Sequence, residues 1–181
     1  MNHNEWDWEL LVKKDIDGVP VAVYHSKIPG RRRWTSIGVD PGRNFGICTL
    51  DGRYATVMSG QLPKEPEQWR YGLSAFTWAR NPRNYHGKGP AVIEGAAYGK
   101  TKGQADLAHT RMGFVLGLAD AGHTVDIRPP ASIRLQAFGK GNMGGLEVWP
   151  ELNHNAGDAV ACALYAAGVT KDIVSGTHLD S

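Results

Sequence analysis

The sequence has little cysteine and no long apolar segment. Neither cysteine, Cys48 or Cys162, belongs to a CxxC pair or to a Cys/His cluster with zinc spacing, so we interpret both as small core residues. No apolar run approaches the roughly 18 to 20 residues that a membrane span requires. The acidic N-terminus, with Glu5, Asp7 and Glu9, lacks the basic-then-apolar order of a secretory signal. We therefore expect a cytoplasmic protein with no membrane partner.

The chain also has little net charge, +2 over 181 residues. The charge is unevenly distributed, since residues 70–111 contain seven basic and two acidic side chains and residues 130–181 contain three basic and five acidic ones. A basic region of this kind favours a polyanionic partner, although scattered surface lysines and arginines explain it equally well. The length fits one domain with a hydrophobic core.

Residues 1–34 are interpreted as an N-terminal extension, residues 35–170 as the main domain and residues 171–181 as a C-terminal tail. In the extension, Asp17-Gly18 separates two apolar runs, which predicts a β-hairpin. Pro20 would confine its strand to a sheet edge. No function is assigned to the extension from its sequence.

The main domain alternates apolar strands with helical patterns. We predict an antiparallel meander of three strands, then helices that alternate with further, parallel strands, and a glycine-rich mobile loop over residues 139–153. The predicted strands cover 37–40, 44–50, 53–61, 90–96 and 124–128, and the predicted helices cover 63–79, 104–121, 131–138 and a C-terminal stretch from about 155. This order predicts an α/β fold with a mixed sheet flanked by helices.

The helix over 104–121 carries apolar residues around much of its circumference. Burial on two sides follows from this pattern, either between the sheet and a second subunit or as a central helix.

Three acidic residues stand at structurally informative positions. Asp40 and Glu94 each end an apolar strand, and Asp158 lies in the last predicted helix. Each has an alternative explanation: a turn at Asp40, a salt bridge between Glu94 and a residue such as Arg111, and helix capping by Asn155 with Asp158. Together they supply the hard oxygen ligands that Mg²⁺ prefers. Two such ions, roughly 3.5 to 4 Å apart, support phosphodiester hydrolysis.

The chain resembles the RuvC-like Holliday junction resolvases of the RNase H-like superfamily over about residues 35–168. The resemblance rests on Ile37-Gly38-Val39-Asp40-Pro41-Gly42 with Phe45-Gly46-Ile47, on Val92-Ile93-Glu94, and on Ala156-Gly157-Asp158-Ala159, in the family's order and at similar separations. It implies an RNase H-like nuclease domain, in a bacterial cell or in a phage protein acting in the host cytoplasm.

The resemblance further implies a homodimer that nicks two strands of a four-way DNA junction and leaves 5′-phosphate and 3′-hydroxyl ends. Asp40, Glu94 and Asp158 would be ligands of two Mg²⁺ ions, for which Mn²⁺ would substitute. The family has Asp or His three residues before its last carboxylate, where this chain has Asn155, which cannot act as a base. His154 would assist from the adjacent position.

DNA contacts are also implied by the resemblance. Tyr98 falls near the position of an aromatic residue that stacks at the junction centre in the family. The expected phosphate contacts are Lys100, Lys102, Arg111, Arg134 and Lys140. Residues 139–153 are too few and too rich in glycine for a full copy of the helix that the family usually has before its last carboxylate.

Three alternatives remain. The chain could be an RNase H-like nuclease that acts on RNA:DNA hybrid or RNA, or, given Asn155, a junction-binding protein with weak catalysis. A kinase of the actin and sugar-kinase type also places a phosphate loop after a strand that ends in Asp and Gly. Such kinases need two domains of this fold, and 181 residues supply one.

Overall fold

The computed structural model describes residues 6–16, 18–28, 34–62, 89–96 and 104–170. Its strands are β1 (Glu9–Ile16), β2 (Val19–Lys27), β3 (Trp34–Asp40), β4 (Asn44–Gly52), β5 (Tyr54–Gln61), β6 (Pro90–Glu94) and β7 (Thr124–Arg128). Its helices are α1 (Gln104–Asp120), α2 (Pro130–Phe138), α3 (Gly145–Val148) and α4 (His154–Ala166). The predicted helix over 63–79 lies outside the described residues. None of the described helices is long and apolar enough to cross a membrane.

The strands form one mixed sheet in the order β1-β2-β5-β4-β3-β6-β7. Strands β3, β4 and β5 make the predicted antiparallel meander, and β6 pairs in parallel with β3 on one side and with β7 on the other. The predicted α/β fold, a mixed sheet flanked by helices, is therefore confirmed.

The predicted N-terminal hairpin belongs to this same sheet. Strands β1 and β2 are antiparallel, with Ile16 opposite Val19, and β2 also pairs with β5 from Val21 onward. The prediction that Pro20 marks an edge strand is wrong, because β2 has a neighbour on each side. Pro20 is tolerated because it precedes the first β2–β5 pair and so removes no hydrogen bond from that ladder.

The core has two layers, one on each face of the sheet. On one face, α4 packs against β3 and β4, where buried residues such as Cys48, Leu50 and Val160 form a cluster. On the other face, Phe114 and Leu118 of α1 pack with Ile37 and Val39 of β3. Because β3 is covered on both faces, its end is held rigidly.

Small residues bring α4 unusually close to the sheet. A Cβ atom at Gly38 would lie 2.1 Å from the backbone nitrogen of Ala163, and one at Gly46 would lie 2.1 Å from the backbone oxygen of Asn155. Real Cβ atoms do not approach other atoms so closely. Glycine at both positions therefore fixes the seat of α4 on β3 and β4.

The prediction of a loop over residues 139–153 is wrong in part. Its glycine content is misleading, because the segment contains α3 and a buried tryptophan, Trp149. Trp149 packs between Trp6, Trp8 and Phe138, with ring centroids 5.6 to 6.4 Å apart. Apolar packing therefore orders the segment and fastens it to the N-terminal extension.

Helix α1 buries one side and exposes the other. Phe114 and Leu118 are fully buried, whereas Met112 is 55% exposed and Leu116 is 54% exposed. Within the described residues, α1 is therefore buried on one side rather than on two. Burial of its exposed side by a second subunit stays a prediction.

Candidate active site

Asp40 and Glu94 end two adjacent parallel strands. Asp40 is the last residue of β3, Glu94 is the last residue of β6, and the register places Val39 opposite Ile93 one step earlier. The carboxyl ends of parallel neighbours lie at the same edge of a sheet, about 4.8 Å apart. The two acidic residues therefore lie side by side at the same edge of the sheet.

Asp158 reaches the same point from α4. Its side chain is 1% exposed, and its Oδ1 accepts a hydrogen bond of 2.8 Å from the backbone N–H of Gly145. A Cβ atom at Gly145 would lie 2.1 Å from the backbone carbon of Gly157. The contact between these two glycines allows the start of α3 to reach Asp158.

Arg134 of α2 lies among the carboxylates. Its Nη2 donates to Asp158 Oδ2 at 2.7 Å and lies 3.7 Å from Glu94 Oε2. Burial lowers the pKa of Arg134, but Asp158 and Glu94 outweigh burial and hold that pKa above its ordinary value. The side chain predicted to contact DNA is thus the internal cation of an acidic cluster.

The three carboxylates repel one another electrostatically. Burial raises the pKa of Asp40 well above its ordinary value, and the nearby Glu94 and Asp158 raise it further. Burial and Asp158 raise the pKa of Glu94 to about 7, although Arg134 and Arg111 act in the opposite direction. Repulsion of this kind is what a bound cation would relieve.

The carboxylate oxygens of the cluster suit a divalent metal, although Asp158 and Glu94 pair with Arg134 in this structure. Within the described residues, no group of three or more His, Cys, Asp or Glu side chains is arranged to hold a metal ion. However, Glu94 Oε2 is buried and accepts no hydrogen bond there. An orphaned carboxylate oxygen beside two further carboxylates fits the hard oxygen ligands of Mg²⁺.

The two residues predicted to assist Asp158 lie in different places. His154 is 61% exposed, and its Nε2 lies 3.5 Å from Asp158 Oδ2, four residues away on the same helix. Asn155 is half-buried and lines a cleft on the side of the β1–β2 hairpin. The alternative that Asn155 caps the helix is wrong, because Asn153 is the N-cap and accepts from the backbone N–H of Ala156 at 2.9 Å.

The remaining predicted residues are dispersed. Arg111 donates from Nε to the backbone oxygen of Glu94 at 3.0 Å, so it holds the end of β6. Lys140 is exposed just after α2. Tyr98, Lys100 and Lys102 lie outside the described residues.

Sequence reasoning missed the supports of the cluster, Gly145 and Trp149. A signal for them existed, since Val148, Trp149 and Leu152 are spaced as one apolar face directly after the pair Gly144-Gly145. Such a face predicts a short helix that packs on the core rather than a solvated loop.

Comparison with known proteins identifies the fold. No protein-family model and no curated protein sequence matches the chain. Among solved structures it is similar to Thermus thermophilus RuvC, with a TM-score of 0.51, 17% identity and coverage of 79% of this chain and 97% of that one. T. thermophilus RuvC in complex with Holliday junction substrate gives a TM-score of 0.48, 18% identity and coverage of 73% and 91%. The first match confirms the RNase H-like fold that the sequence predicts.

Proposed function

We propose that this protein is a metal-dependent endonuclease that resolves four-way DNA junctions by phosphodiester hydrolysis. The observation that carries the proposal is the convergence of Asp40, Glu94 and Asp158 from β3, β6 and α4 at one edge of the sheet. A fold shared with RuvC gives this cluster a context in which branched DNA is the natural substrate. The products would be 5′-phosphate and 3′-hydroxyl ends.

The three carboxylates would hold two Mg²⁺ ions, with Mn²⁺ as a substitute. When bound, such ions activate a water molecule and stabilise the leaving oxygen in phosphodiester cleavage. The rest of the protein holds these three carboxylates in position. Strands buried on both faces fix Asp40 and Glu94, and the N–H of Gly145 fixes the Asp158 carboxylate against rotation.

Arg134 and His154 are basic side chains that lie beside the carboxylates. Arg134 compensates Asp158 and Glu94 while no other cation is present, and its guanidinium would turn to a DNA phosphate once metal compensates those carboxylates. His154 is exposed within 3.5 Å of Asp158 and would orient that carboxylate or move a proton at its edge. Asn155 can neither carry a compensating charge nor move a proton.

A homodimer is part of the proposal, because two symmetric nicks need two sites. The exposed side chains of Met112 and Leu116 on α1 give an apolar surface through which two copies could associate. The protein would act in the cytoplasm, of a bacterium or of a phage host.

A second candidate, a junction-binding protein with weak catalysis, is favoured by one observation. The ion pairs of Arg134 with Asp158 and Glu94 close the cluster, and Asn155 supplies no base. Such a protein would bind junctions tightly and nick them slowly in either Mg²⁺ or Mn²⁺.

Incubation of the protein with an immobile four-way junction in Mg²⁺ tests the proposal. Linear duplex and RNA:DNA hybrid serve as controls, and the product ends are mapped. Paired symmetric nicks in the junction alone are expected. Preferential cleavage of the hybrid would instead favour an RNase H-like activity on RNA:DNA hybrid or RNA.

A further inference from the structure

A cleft with several polar side chains lies between the β1–β2 hairpin and the start of α4. Its volume is about 570 Å³. The residues that define its chemistry are the lysines Lys13 and Lys14 and the amides Asn44, Gln61, Asn153 and Asn155. Both lysines are exposed, and Asp15, which also lines the cleft, accepts a hydrogen bond through its Oδ1 from the backbone N–H of Gly18 at 2.6 Å.

The strand register connects this cleft directly to the carboxylate cluster. One row of directly opposed residues crosses five strands, and its members are Asp40, Gly46, Ser59, Ala22 and Lys13. Directly opposed residues of antiparallel strands point to the same face of a sheet. Lys13 therefore stands on the same face as Asp40, at the far end of the row.

The first turn of α4 lies over the middle of this row. Asn153 donates from Nδ2 to Ser59 Oγ at 2.6 Å, and the backbone oxygen of Asn155 lies against Gly46. The same first turns place His154 and Asp158 at the cluster. Because this turn covers Gly46 and Ser59, a ligand that extends from the cluster passes over the first turn of α4 and its amides and then reaches Lys13.

Four inter-strand spacings separate Asp40 from Lys13, a span of roughly 19 Å at about 4.8 Å each. Along a DNA duplex, roughly 19 Å corresponds to between five and six steps of 3.4 Å. The amides supply polar groups for phosphate or sugar oxygens: Gln61 donates from Nε2 to Asn44 Oδ1 at 2.9 Å, and the Nδ2 group of Asn44 is a further donor of the cleft.

We infer that this cleft binds the sugar–phosphate backbone of one DNA arm, about half a helical turn from the cut site. Lys13 pairs with a phosphate on the face of the cluster, Lys14 adds positive charge at the edge of the cleft, and the amides of the cleft fix the register of the strand. The inference rests on the proposed nuclease function and deepens it, because the N-terminal hairpin then extends the DNA-binding face beyond the cluster.

A salt titration of DNA binding tests the inference on the full-length chain. The probe is an immobile four-way junction with arms of fifteen base pairs, without divalent metal, and the variant is Lys13→Ala/Lys14→Ala. The matched control is Lys27→Ala/Arg53→Ala, which removes the same charge from exposed residues at the opposite end of the β2–β5 ladder. Circular dichroism and thermal melting establish that both variants are folded.

The lysine variant is expected to bind about five- to tenfold more weakly than the wild type at moderate salt. The slope of log K against log salt should fall by about 0.9 for each phosphate that the variant no longer neutralises, and the control should keep the wild-type slope.

Two other results would distinguish a failure of the inference from a failure of the proposed function. If the wild type binds and nicks the junction while the lysine variant keeps its affinity and salt slope, the inference is overturned and the proposed function stands. If the wild type neither binds nor nicks the junction, the proposed function fails and the inference fails with it.

Discussion

Arg134 Nη2 donates a hydrogen bond to Asp158 Oδ2 over 2.7 Å and lies 3.7 Å from Glu94 Oε2. One guanidinium thus compensates two of three clustered carboxylates. The pair is well shielded from solvent, since the Asp158 side chain is 1% exposed and that of Arg134 is 20% exposed. The cation that α2 inserts therefore stabilises the cluster in the absence of metal.

Replacement of Arg134 by alanine should destabilise the metal-free protein. Loss of one partner of a buried ion pair leaves an uncompensated charge, so we expect the free energy of unfolding in EDTA to fall by roughly 3 kcal/mol. Saturating Mg²⁺ should recover part of the loss, because the ion would provide the compensating charge. Denaturant unfolding in EDTA and in Mg²⁺ measures both values.

Arg128→Ala is the matched control for that experiment. Arg128 pairs with Asp126 at 2.6 Å, but both side chains are about half exposed, so its loss should have little effect in either condition. An equal destabilisation of Arg134→Ala with and without Mg²⁺ would argue against a metal at the carboxylates.

The pH dependence of the free energy of unfolding should reveal the raised pKa of Glu94. Its pKa is about 7 in the folded protein and 4.5 when unperturbed, so the folded state binds the proton more tightly than the unfolded state between these values. The stability linked to this proton is fully present below pH 4.5 and is lost as the pH rises through 7, by up to roughly 3 kcal/mol.

Glu94→Gln should reduce this decline, because glutamine does not titrate, whereas Asp40, whose pKa is also raised by burial, still does. Denaturant unfolding of both proteins in EDTA at about pH 5 and about pH 8 makes the comparison. Parallel pH dependences in the two proteins would show that Glu94 has an ordinary pKa.

The close seat of α4 on the sheet should not tolerate one added methyl group. Gly46→Ala would place a Cβ atom against the backbone oxygen of Asn155 and displace the helix that carries Asp158. We expect a loss of stability of about 3 kcal/mol, typical of severe overpacking, together with slower nicking. Gly144→Ala is the control, since the nearest heavy atom to its Cβ would be 3.8 Å away. Similar stability losses in the two variants would refute the steric explanation.

The N-terminal tryptophans should contribute to the site from a distance. Trp6 is 1% exposed and its ring centroid lies 5.7 Å from that of Trp149, which follows the short helix that supports Asp158. Trp6→Ala should lower the free energy of unfolding by about 3 to 5 kcal/mol. Tyr54→Ala, at a residue that is 51% exposed, should cost less than about 1 kcal/mol. Chemical denaturation distinguishes the two, and a small loss for Trp6→Ala would mean that the extension is dispensable.

The sequence alone predicts the positions of the three carboxylates but not how they are supported. Asp40 and Glu94 are readable because each ends a strand, and parallel strands align their ends. The place of Arg134 depends on the angle at which α2 packs against α4, which no local pattern encodes. Sequence reasoning therefore assigns Arg134 a DNA contact, which stays a prediction, and does not find its contact with the cluster.

The N-terminal extension illustrates a second limit. The Asp17-Gly18 turn predicts the hairpin, because turn chemistry is local, but the pairing of β2 with β5 joins residues that are far apart in the sequence, such as Val21 and Gly60. Likewise, the glycines of residues 139–153 suggest a loop, whereas Trp149 is buried by contacts with Trp6 and Trp8. Long-range contacts decide both cases.

The most direct test of the proposed active site is the nicking rate of Glu94→Gln on an immobile four-way junction in Mg²⁺, with junction affinity measured in parallel. The substitution keeps the size of the side chain and removes one metal-binding charge. We predict that nicking slows by about 100-fold or more with nearly unchanged affinity, and that Asp40→Asn behaves in the same way. Wild-type nicking by either variant would contradict the assignment of the carboxylate cluster as the active site.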